Sequence, residues 1–466
     1  MARVRYERYH IPIETVPSTA PPVPKFVITR ADNCVNCGKC EKACIFGVHK
    51  RKESDPREMA DPLSHLCKNC FRCVSDCPQR ALTMSPGQEY RALGRGIWTP
   101  LRITTIWGEA ETGKIPVLGA GYRGMFAGPD YDGMWTDMSE IVRPTRDGIH
   151  GRETISTSVD IGRKPLWLEF DRDGRLATPL PPVMELSIPM MFDATRLGAA
   201  GPGVLAGLAM AAKELDTLLL VPQEMVTDGL LDAAAGNLVP VLPEGADPES
   251  VAVDPRARMV EFRVSGSWKA ACKSLTRRFP DKVLAIRLQA FRGVEETVLE
   301  MAEAGVPVVH LEYDEDGREQ GMGETRHAKD SLRAVHTAMT AKGIRDAVTV
   351  VASGGIAAAE HVPKTVVCGA DAVALETALL VALSCRRCAE CDIRSCPAAI
   401  GKAAPEWVGG RVRNMVGAWR DQMLEMLGAM GIREVRRLRG EVGRAIFYDD
   451  IQREFLAGLS GGGGHG

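Results

Sequence analysis

Residues 348–375 read VTVVASGGIAAAEHVPKTVVCGADAVAL, two short apolar runs joined by a longer mixed segment. The runs, 348–352 and 372–375, are almost continuously apolar, as strands buried on both faces of a parallel sheet are. Parallel neighbours need a connection long enough to hold a helix, and residues 353–371 supply one. We therefore predict a strand–helix–strand unit here.

The same alternation of apolar runs and helical segments extends back to residue 183. Apolar residues recur at helical spacing in four segments, 203–215, 268–278, 294–303 and 326–342. The candidate strands are 185–191, 217–221, 238–242, 259–264, 283–288, 307–311, 348–352 and 372–375. This pattern predicts an α/β fold of the closed (β/α)8, TIM-type barrel class. An open doubly wound sheet is the alternative, but no G-x-G-x-x-G follows the first strand.

In such barrels the chemistry lies at the carboxyl ends of the strands, and phosphate groups are held by the loops after the last two. Here those loops begin at Ser353, Gly354 and Gly355 and at Glu376 and Thr377. The glycines would let backbone N–H groups approach a phosphate, although a tight strand-to-helix turn explains them equally well. Glu376 argues against a phosphate, because two like charges a few ångströms apart repel by about 1 kcal/mol in water and by more when buried.

A second signal lies in residues 32–78, where two cysteine quartets share the spacing C-x2-C-x2-C-x3-C. In this pattern three thiolates wrap one cubane iron–sulfur cluster and the fourth reaches across to another cluster. The quartets resemble those of bacterial-type two-cluster ferredoxins. That resemblance implies one 4Fe-4S cluster on Cys34, Cys37, Cys40 and Cys77, and a second on Cys67, Cys70, Cys73 and Cys44. Structural zinc is the alternative, but four thiolates around one zinc would not need the repeated C-x2-C step of each quartet.

A third cysteine group, Cys385, Cys388, Cys391 and Cys396, directly follows the last barrel helix. Its spacing, C-x2-C-x2-C-x4-C, is one residue longer than that of the quartets. We expect a third iron–sulfur cluster here, either 4Fe-4S or 3Fe-4S, and zinc is again the alternative.

Cysteine usage and charge limit the compartment and the partners. Twelve of the 14 cysteines fall into the three groups, and we expect Cys272 and Cys368 to be buried thiols. This usage indicates a reducing compartment, and MARVRYERYH has no apolar signal region, so we expect a cytoplasmic protein. The formal net charge of -2 gives no reason to expect a nucleic acid partner. No apolar run approaches the ~18 to 20 residues of a membrane span.

The chain divides into seven parts on these criteria. Prolines of the amino-terminal segment resist helix formation, and the segment before the barrel is rich in Gly, Trp and Pro without long-range periodicity. We expect an extended arm at 1–30, a two-cluster ferredoxin module at 31–86, an irregular connecting region at 87–182, the barrel at 183–384, the third iron–sulfur motif at 385–400, C-terminal helices at 401–459 and a disordered tail at 460–466.

Three motifs resemble the FMN-binding synthase domain of glutamate synthases, in the short form that carries an inserted ferredoxin and lacks the amidotransferase domain. They are RPTRDGIHGRE at 143–153, VTVVASGGI at 348–356 with GADAV at 369–373, and the C-x5-C-x4-C of Cys385, Cys391 and Cys396. The resemblance implies a 3Fe-4S cluster on those three cysteines, beside FMN. The residues that it places against FMN are Arg287, Ser353, Gly354, Gly355 and Thr377. His310 and Glu312, at the end of the sixth strand, are candidates for handling protons.

The same comparison exposes departures from the family pattern. The loop after the first strand, which supports the flavin in the family, carries Asp193 and Arg196, and the lysine of the fifth strand is Arg287. The glycine-rich element after the sixth strand becomes HLEYDEDGREQGMGE, and the Gly-Thr pair that caps the phosphate becomes Glu376 and Thr377. Carboxylates stand where anions would bind, so we expect an eroded flavin pocket.

Two functions are consistent with these features. The first is an iron–sulfur electron-transfer subunit related to glutamate synthase, whose three clusters relay electrons while the barrel docks partners in a hetero-oligomeric complex. Those partners would be other redox subunits, or a ferredoxin or flavoprotein that donates electrons. The alternative is an FMN-dependent enzyme of the glutamate synthase type that reduces an imine of a 2-keto acid. Intact cysteine groups beside an altered pocket favour the first function.

Overall fold

The computed structural model describes residues 9–115, 128–136, 154–197, 201–247, 250–264, 268–388, 391 and 396–461. The motif RPTRDGIHGRE at 143–153 lies outside the described residues, as do 392–395 in the third cysteine group and 462–466 of the predicted tail.

The cysteine quartets lie in a small unit near the amino end. Strand β1 (Phe26–Arg30) pairs antiparallel with β2 (Leu82–Pro86), and the short helices α1 (Lys39–Ala43) and α2 (Arg72–Ser75) lie between them in the chain. The unit has a small hydrophobic core separate from the main one, with Ile28, Val48, Cys73 and Leu82 as its buried members.

The described part of the predicted arm, residues 9–24, contains no helix or strand and lies along other parts of the protein. Asn414 Nδ2 donates a hydrogen bond to Glu14 O at 2.6 Å, and Arg411 Nη1 donates one to Val16 O at 2.7 Å. The Val16 N–H in turn donates to Glu111 O at 2.8 Å. Buried side-chain donors therefore satisfy the carbonyl groups of an extended segment that has no strand partner.

The region 87–182 is less irregular than predicted. It contains helices α3 (Gln88–Arg91) and α4 (Pro100–Thr112) and strands β3 (Met134–Thr136) and β4 (Val159–Gly162). Thr99 caps α4, Pro100 occupies its first turn, and Gly113 ends it with a φ of 64°. These are the ordinary start and stop signals of a helix, and the sequence interpretation overlooked them.

The predicted strand 185–191 is two strands in the structure. Its first part belongs to β5 (Val183–Leu186), which pairs antiparallel with β4 outside the barrel. Its second part belongs to β6 (Met190–Asp193), the first barrel strand. Residues 187–189, which include Pro189, separate the two, and a proline has no N–H group for a sheet ladder.

Eight parallel strands close into a barrel in which the last strand pairs with the first. The strands are β6, β7 (Leu219–Pro222), β8 (Leu238–Leu242), β9 (Met259–Val264), β10 (Val283–Gln289), β11 (Val308–Glu312), β12 (Thr349–Ser353) and β13 (Ala372–Leu375). Every residue of β8, β11, β12 and β13 is buried, as expected for strands between a filled interior and a layer of helices. The predicted barrel is confirmed, and the open sheet is wrong.

Helices and one short strand complete the described structure. They are α5 (Pro202–Glu214), α6 (Asp228–Ala234), α7 (Lys269–Arg278), α8 (Val294–Glu303), α9 (Ala328–Ala341), α10 (His361–Val367), α11 (Thr377–Ala382), α12 (Pro405–Ala429), β14 (Ala445–Phe447) and α13 (Tyr448–Gly461). The long helix α12 approaches α5 so closely that a Cβ atom on Gly207 would lie 2.5 Å from Pro405 O. None of the helices in the described residues combines the length and apolar character that a bilayer crossing requires.

Candidate functional site

A network of buried charges centred on Arg287 fills the carboxyl end of the barrel. Its guanidinium is fully buried, and its Nε lies 2.7 Å from Glu261 Oε1, its Nη1 lies 3.3 Å from Glu312 Oε2, and its Nη2 binds Asp193. Nη1 also donates to Thr195 Oγ1 at 2.6 Å. The three acids come from β9, β11 and β6, so one side chain of β10 links residues of four strands.

Glu312 extends the network toward the mouth of the barrel. Its Oε1 lies 2.7 Å from Arg196 Nη2, and its Oε2 lies 3.1 Å from Arg263 Nη2. Arg196 also places Nη1 3.6 Å from Glu376 Oε2 and 2.8 Å from Tyr313 O, to which it donates. Arg196, from the loop after β6, therefore reaches across to the loops that follow β11 and β13.

His310 lies beneath Glu312 on the same strand and belongs to the same network. Its Nδ1 lies 2.8 Å from Glu261 Oε2, and Arg287 Nε is 3.3 Å away. Its Nε2 is buried without a hydrogen-bond partner among the described residues. The structure thus brings together His310, Glu312 and Arg287, which the sequence interpretation considered separately.

Asp193, Glu261 and Arg287 are held in their ionised forms. Burial alone would raise the pKa values of Asp193 and Glu261, but Arg287 and then His310 outweigh burial and hold both pKa values below the ordinary range. Burial would lower the pKa of Arg287, and the carboxylates of Asp193, Glu261 and Glu312 raise it instead. Each charge is therefore compensated by partners at contact distance.

Glu376 behaves differently from the other acids. It immediately precedes α11, and burial, followed by the nearby charge of Asp193, raises its pKa to about 8. Glu376 Oε1 and Ser353 Oγ are both buried and lack hydrogen-bond partners among the described residues. The ends of β12 and β13 therefore present a largely protonated carboxyl group and a hydroxyl group at neutral pH.

The Ser-Gly-Gly turn after β12 is packed against the protein's own backbone. Gly354 and Gly355 have φ angles of 92° and 71°. A Cβ atom on Gly354 would lie 2.5 Å from Tyr313 O and Asp314 O, and one on Gly355 would lie 2.3 Å from Gly317 Cα. The close approach of the loop at 313–317 requires both glycines, so the tight-turn interpretation accounts for them without a phosphate.

These residues do not fit the contacts with FMN that the resemblance implies. Arg287 is occupied by three carboxylates, and the loop at 313–317 packs against Gly354 and Gly355. Thr377 is the first residue of α11, and the preceding Glu376 carboxyl stands where a phosphate would lie. A phosphate there would face Asp193, Glu312 and, when ionised, Glu376, and like charges repel strongly when buried.

Four cysteines of the predicted second cluster converge in the small amino-terminal unit. Cys44, Cys67, Cys70 and Cys73 line one small cavity together with Ile28, Phe46, Val48, His49, Lys68 and Met84. Burial, and then the neighbouring thiols of Cys67, Cys44 and Cys70, raises the pKa of Cys73 to about 11. The residue from the first quartet, Cys44, therefore lies with three residues of the second, as the ferredoxin pattern requires.

The predicted first cluster site is less closely assembled in the described residues. Cys34 and Cys40 are near enough to interact electrostatically, Cys40 and Cys77 pack against the same small core, and Cys37 is exposed. No group of three or more His, Cys, Asp or Glu side chains in the described structure could hold a single metal ion. The four thiolates of a cubane each bind a different iron and stand further apart. Both ligand sets remain predictions.

The third cysteine group lies between the amino-terminal unit and the barrel mouth. Cys385 interacts electrostatically with Cys396 and Cys388, while Cys391 is exposed and flanked by residues outside the described ranges. Within this group the Arg387 N–H donates to Cys385 Sγ at 3.5 Å. The structure therefore supports neither a three-cysteine nor a four-cysteine ligand set over the other.

A single carboxylate joins this group to its two neighbours. Glu315, in the loop after β11, lies 2.6 Å from Arg387 Nη2 of the third cysteine group and 3.1 Å from Arg95 Nη2 of the segment that leaves the amino-terminal unit. Close by, the Gly94 N–H donates to Arg386 O at 3.0 Å. The exit of the cysteine-rich unit, the third group and the barrel-mouth loop therefore meet at Glu315.

Glu261 is the acid of the network that the sequence interpretation missed. It lies in the middle of β9, whose residues read MVEFRV, and its side chain is fully buried. The available signal was an acid inside an otherwise apolar strand of a predicted barrel, since buried acids are rare unless they are paired.

Comparisons with known proteins agree with the sequence resemblance. Residues 258–433 match the family model described as the conserved region in glutamate synthase. The archaeal-type glutamate synthase [NADPH] of Dehalococcoides mccartyi is 27% identical over 481 residues, covering 89% of this chain and 94% of that protein. The archaeal glutamate synthase [NADPH] of Archaeoglobus fulgidus is 27% identical over 524 residues, covering 95% of this chain and 98% of that protein.

Among solved structures, the recombinant flavin-binding domain of baker's yeast flavocytochrome b2 matches with a TM-score of 0.42 and 12% identity, covering 77% of this chain and 81% of that one. The sequence comparisons extend over nearly the whole chain and include the end of the barrel and the third cysteine group. The resemblance drawn from the motifs is confirmed: this chain is similar to the glutamate synthases, and along most of its length to their archaeal type.

Proposed function

We propose that this chain is an iron–sulfur oxidoreductase of the glutamate synthase type. Both relatives described above are named as glutamate synthases, and each is matched over more than nine-tenths of its length. The sequence left two hypotheses, an enzyme of the glutamate synthase type and an electron-transfer subunit whose barrel is only a scaffold. This similarity supports the enzyme better. The chain would receive its electrons from a redox partner, in the cytoplasm.

The three cysteine groups would hold the clusters. One 4Fe-4S cluster would bind Cys34, Cys37, Cys40 and Cys77, a second would bind Cys67, Cys70, Cys73 and Cys44, and a third would bind Cys385, Cys391 and Cys396, with or without Cys388. When bound, these clusters would supply one-electron transfer between the amino-terminal unit and the barrel. The convergence of Cys44 with Cys67, Cys70 and Cys73 around one cavity supports the assignment of the second set.

The observation that carries the proposal is the junction at Glu315. Arg387 and Arg95 both bind this carboxylate, so the third cysteine group and the exit of the cysteine-rich unit are fixed against the loop that begins at the end of β11. The same loop packs on Gly354 and Gly355 at the end of β12. A redox group on Cys385 would therefore lie beside the barrel mouth, where the chemistry of such barrels takes place.

Reduction of an imine to an amine takes up two electrons, which the clusters would deliver one at a time, and two protons. The mouth holds two groups suited to supply those protons. The Glu376 carboxyl, with its pKa raised to about 8, stays largely protonated at neutral pH, and its Oε1 has no hydrogen-bond partner among the described residues. His310 Nε2 is similarly buried and unpartnered in the described structure. We assign Glu376 the role of proton donor and His310 that of a second proton-handling residue.

A second candidate function is electron transfer without catalysis at the barrel. The charge network favours it, because its ion pairs leave no cation of the described network free for a ligand: Arg287 is paired with Asp193, Glu261 and Glu312. A flavin and a keto acid would need free cations and backbone N–H groups at this place. In this case the chain would pass electrons to another subunit of a redox complex, and the barrel would dock that subunit.

One preparation separates the two candidates. Protein purified without oxygen should contain about twelve irons per chain, or about eleven if the third cluster is 3Fe-4S. It is then reduced chemically and supplied with 2-oxoglutarate and ammonium, and glutamate is measured. Denaturation of the same preparation tests for released flavin.

Glutamate formation that is lost in Cys385→Ser and retained in Cys272→Ser supports the enzyme, because Cys272 lies outside every cysteine group. Three cluster signals without glutamate and without flavin support electron transfer alone. A preparation that binds no iron after anaerobic reconstitution contradicts both candidates.

A further inference from the structure

A hairpin at the amino end of the barrel exposes an unusual amount of apolar surface. Residues 164–183, here called the apolar hairpin, run from just after β4 to the first residue of β5, and residues 166–177 are all exposed. Seven of the side chains in 164–183 are large, apolar and at least 40% exposed, namely Leu166, Trp167, Leu168, Phe170, Leu176, Leu180 and Val183. Monomeric proteins rarely leave such a contiguous patch in water unless another molecule covers it.

The hairpin has a defined conformation. Phe170 and Leu176 form an antiparallel bridge, and the Ala177 N–H donates to Glu169 O at 2.8 Å. At the tip, Asp171 Oδ1 accepts from the N–H groups of Asp173 at 2.9 Å and Arg175 at 2.8 Å. The apolar side chains are therefore presented by an ordered turn, although an isolated two-stranded hairpin is marginally stable in water.

The base of the hairpin is anchored to the barrel far from the mouth. Arg163 Nη1 donates to Ala302 O at 3.0 Å, and the Lys164 N–H donates to Ala347 O at 3.0 Å. Thr349 Oγ1, at the start of β12, donates to Gly162 O at 2.9 Å. These contacts lie at the amino ends of β11 and β12, whereas the charge network and Glu315 lie at the carboxyl ends.

The charges of the hairpin indicate what covers it. The segment carries three basic residues, Lys164, Arg172 and Arg175, and three acidic residues, Glu169, Asp171 and Asp173, so its net charge is zero. The tip at 171–175 is the most charged part, which is unsuited to insertion into a bilayer. A surface of zero net charge that carries both basic and acidic side chains can pair its charges with those of a second copy of itself. It has no electrostatic preference for a strongly charged partner.

The exposed area also fits a second copy of this chain as the partner. With aromatic side chains of roughly 150–250 Å² each, the seven side chains present on the order of 600 Å² of apolar surface. A standard interface buries about 800 Å² on each partner. The hairpin contains the antiparallel bridge between Phe170 and Leu176, and a second copy related by a twofold axis could pair with the outer edge of that bridge.

We propose that the apolar hairpin is the interface through which two copies of this chain form a dimer. Trp167 and Phe170 are its central anchors, because aromatic side chains contribute most of the energy of such interfaces. Pairing at this end of the barrel leaves the mouth, the third cysteine group and the amino-terminal unit of each copy open to redox partners.

The test is the mass of the full-length, cluster-loaded chain in solution, measured by sedimentation equilibrium across a concentration series. We expect a dimer for the unmodified chain. The double variant Trp167→Asp, Phe170→Asp should have a dissociation constant at least ~30-fold higher, the effect expected for loss of a single interface hot spot. Phe455→Asp, which alters another exposed aromatic residue on α13, is the matched control and should remain dimeric.

Iron content and thermal melting of each variant show whether it is folded. A monomeric unmodified chain overturns the proposal, and so does a dimer that persists unchanged in the folded double variant. An unmodified chain that is monomeric alone but binds a different protein through this hairpin also overturns it, since the hairpin then serves a different partner.

Discussion

Arg287 is the residue on which the barrel's charge network depends. Replacing it with Met keeps the length of the side chain but leaves Asp193, Glu261 and Glu312 buried without their central cation. Removing one partner from a buried ion-pair network costs about 3–5 kcal/mol. We therefore expect Arg287→Met to lower the free energy of unfolding by about that amount, measured by urea denaturation at neutral pH.

Arg287→Lys is the matched control, because it keeps the positive charge but removes the planar guanidinium group. A lysine keeps the cation but cannot form the forked contacts with three acids at once, so we expect a smaller loss of stability than for Met. Equal stability of the Met variant and the unmodified chain would show that the network contributes nothing to folding.

Glu376 makes stability depend on pH in a direction opposite to that of most acids. Its folded-state pKa is about 8, above the ordinary 4.5, so the folded state binds its proton more tightly than the unfolded state does. The stability that this provides is complete below pH 4.5 and is lost as pH rises toward 8. Glu376→Gln cannot ionise and escapes that loss.

Relative to the unmodified chain, we therefore expect the stability of Glu376→Gln to rise by roughly 3–4 kcal/mol between pH 5 and pH 8. Thermal melting of both proteins across this range measures the difference. A constant difference would mean that Glu376 titrates normally in the folded protein.

At the scale of single elements, the amino end of α9 should make the protein sensitive to acid. His327 caps this helix by accepting from the Lys329 N–H at 3.2 Å, and its ring packs edge-on against Tyr131 with centroids 4.6 Å apart. Burial, followed by the charges of Lys329 and Arg318, lowers the pKa of His327 to about 3. Below pH 6.5, His327 therefore binds a proton in the unfolded state but not in the folded state, and the free energy of unfolding falls on acidification.

The variant His327→Asn should reduce this acid sensitivity. Asparagine is a good helix cap and does not titrate, so at pH 5 the variant should avoid a loss of about 2 kcal/mol. The measurement is the slope of unfolding free energy against pH between 7 and 5. If the slopes of the two proteins coincide, His327 binds its proton equally well in the folded and unfolded states.

Elements differed in how well the sequence predicted them. Strands 238–242, 259–264 and 372–375 were predicted with the bounds observed, because continuous apolar runs between turns leave little choice of structure. The prediction of one strand at 185–191 was wrong because it ignored Pro189, which interrupts the strand. The region around α4 was predicted to be irregular, although Thr99, Pro100 and Gly113 mark the start and end of a helix. In each case the decisive signal was local and present.

The charge network could not be predicted in the same way. Glu261, Arg287 and Glu312 lie on three neighbouring strands, and closure of the barrel brings Asp193, from a strand that pairs with none of these, within contact distance of Arg287. From the sequence, Asp193, Arg287 and Glu312 were singled out, but each was considered only for its effect on binding of a flavin or a substrate. Their pairing with one another required the fold.

At the scale of the whole molecule, the amino-terminal unit and the barrel rest on separate hydrophobic cores. The core of the first contains few buried residues, including Ile28, Val48 and Leu82, and its cysteines pack around it. The barrel core is far larger and includes α4 and α12. With so little apolar burial, this unit would depend on the proposed clusters for its stability, as small metal-binding domains depend on their metal.

We therefore expect iron removal to affect the two parts unequally. In protein treated with a chelator, limited proteolysis should cleave within residues 31–86 at least ~10-fold faster than in the cluster-loaded protein, while the main thermal transition of the barrel stays in place. Mass spectrometry of the fragments locates the cuts. Simultaneous loss of both parts would show that the clusters hold the barrel together as well.

The closed set of charges around Arg287 also restricts how this chain can have diverged from its relatives. A lone arginine, or a lone acid, buried at the end of the barrel would be unstable, so the members of the set cannot have been acquired one at a time at full burial. Asp193, Glu261, Arg287 and Glu312 should therefore be inherited together. Among chains of this lineage, an arginine at the position of Arg287 should be accompanied by all three acids, and a lysine there by none or few of them.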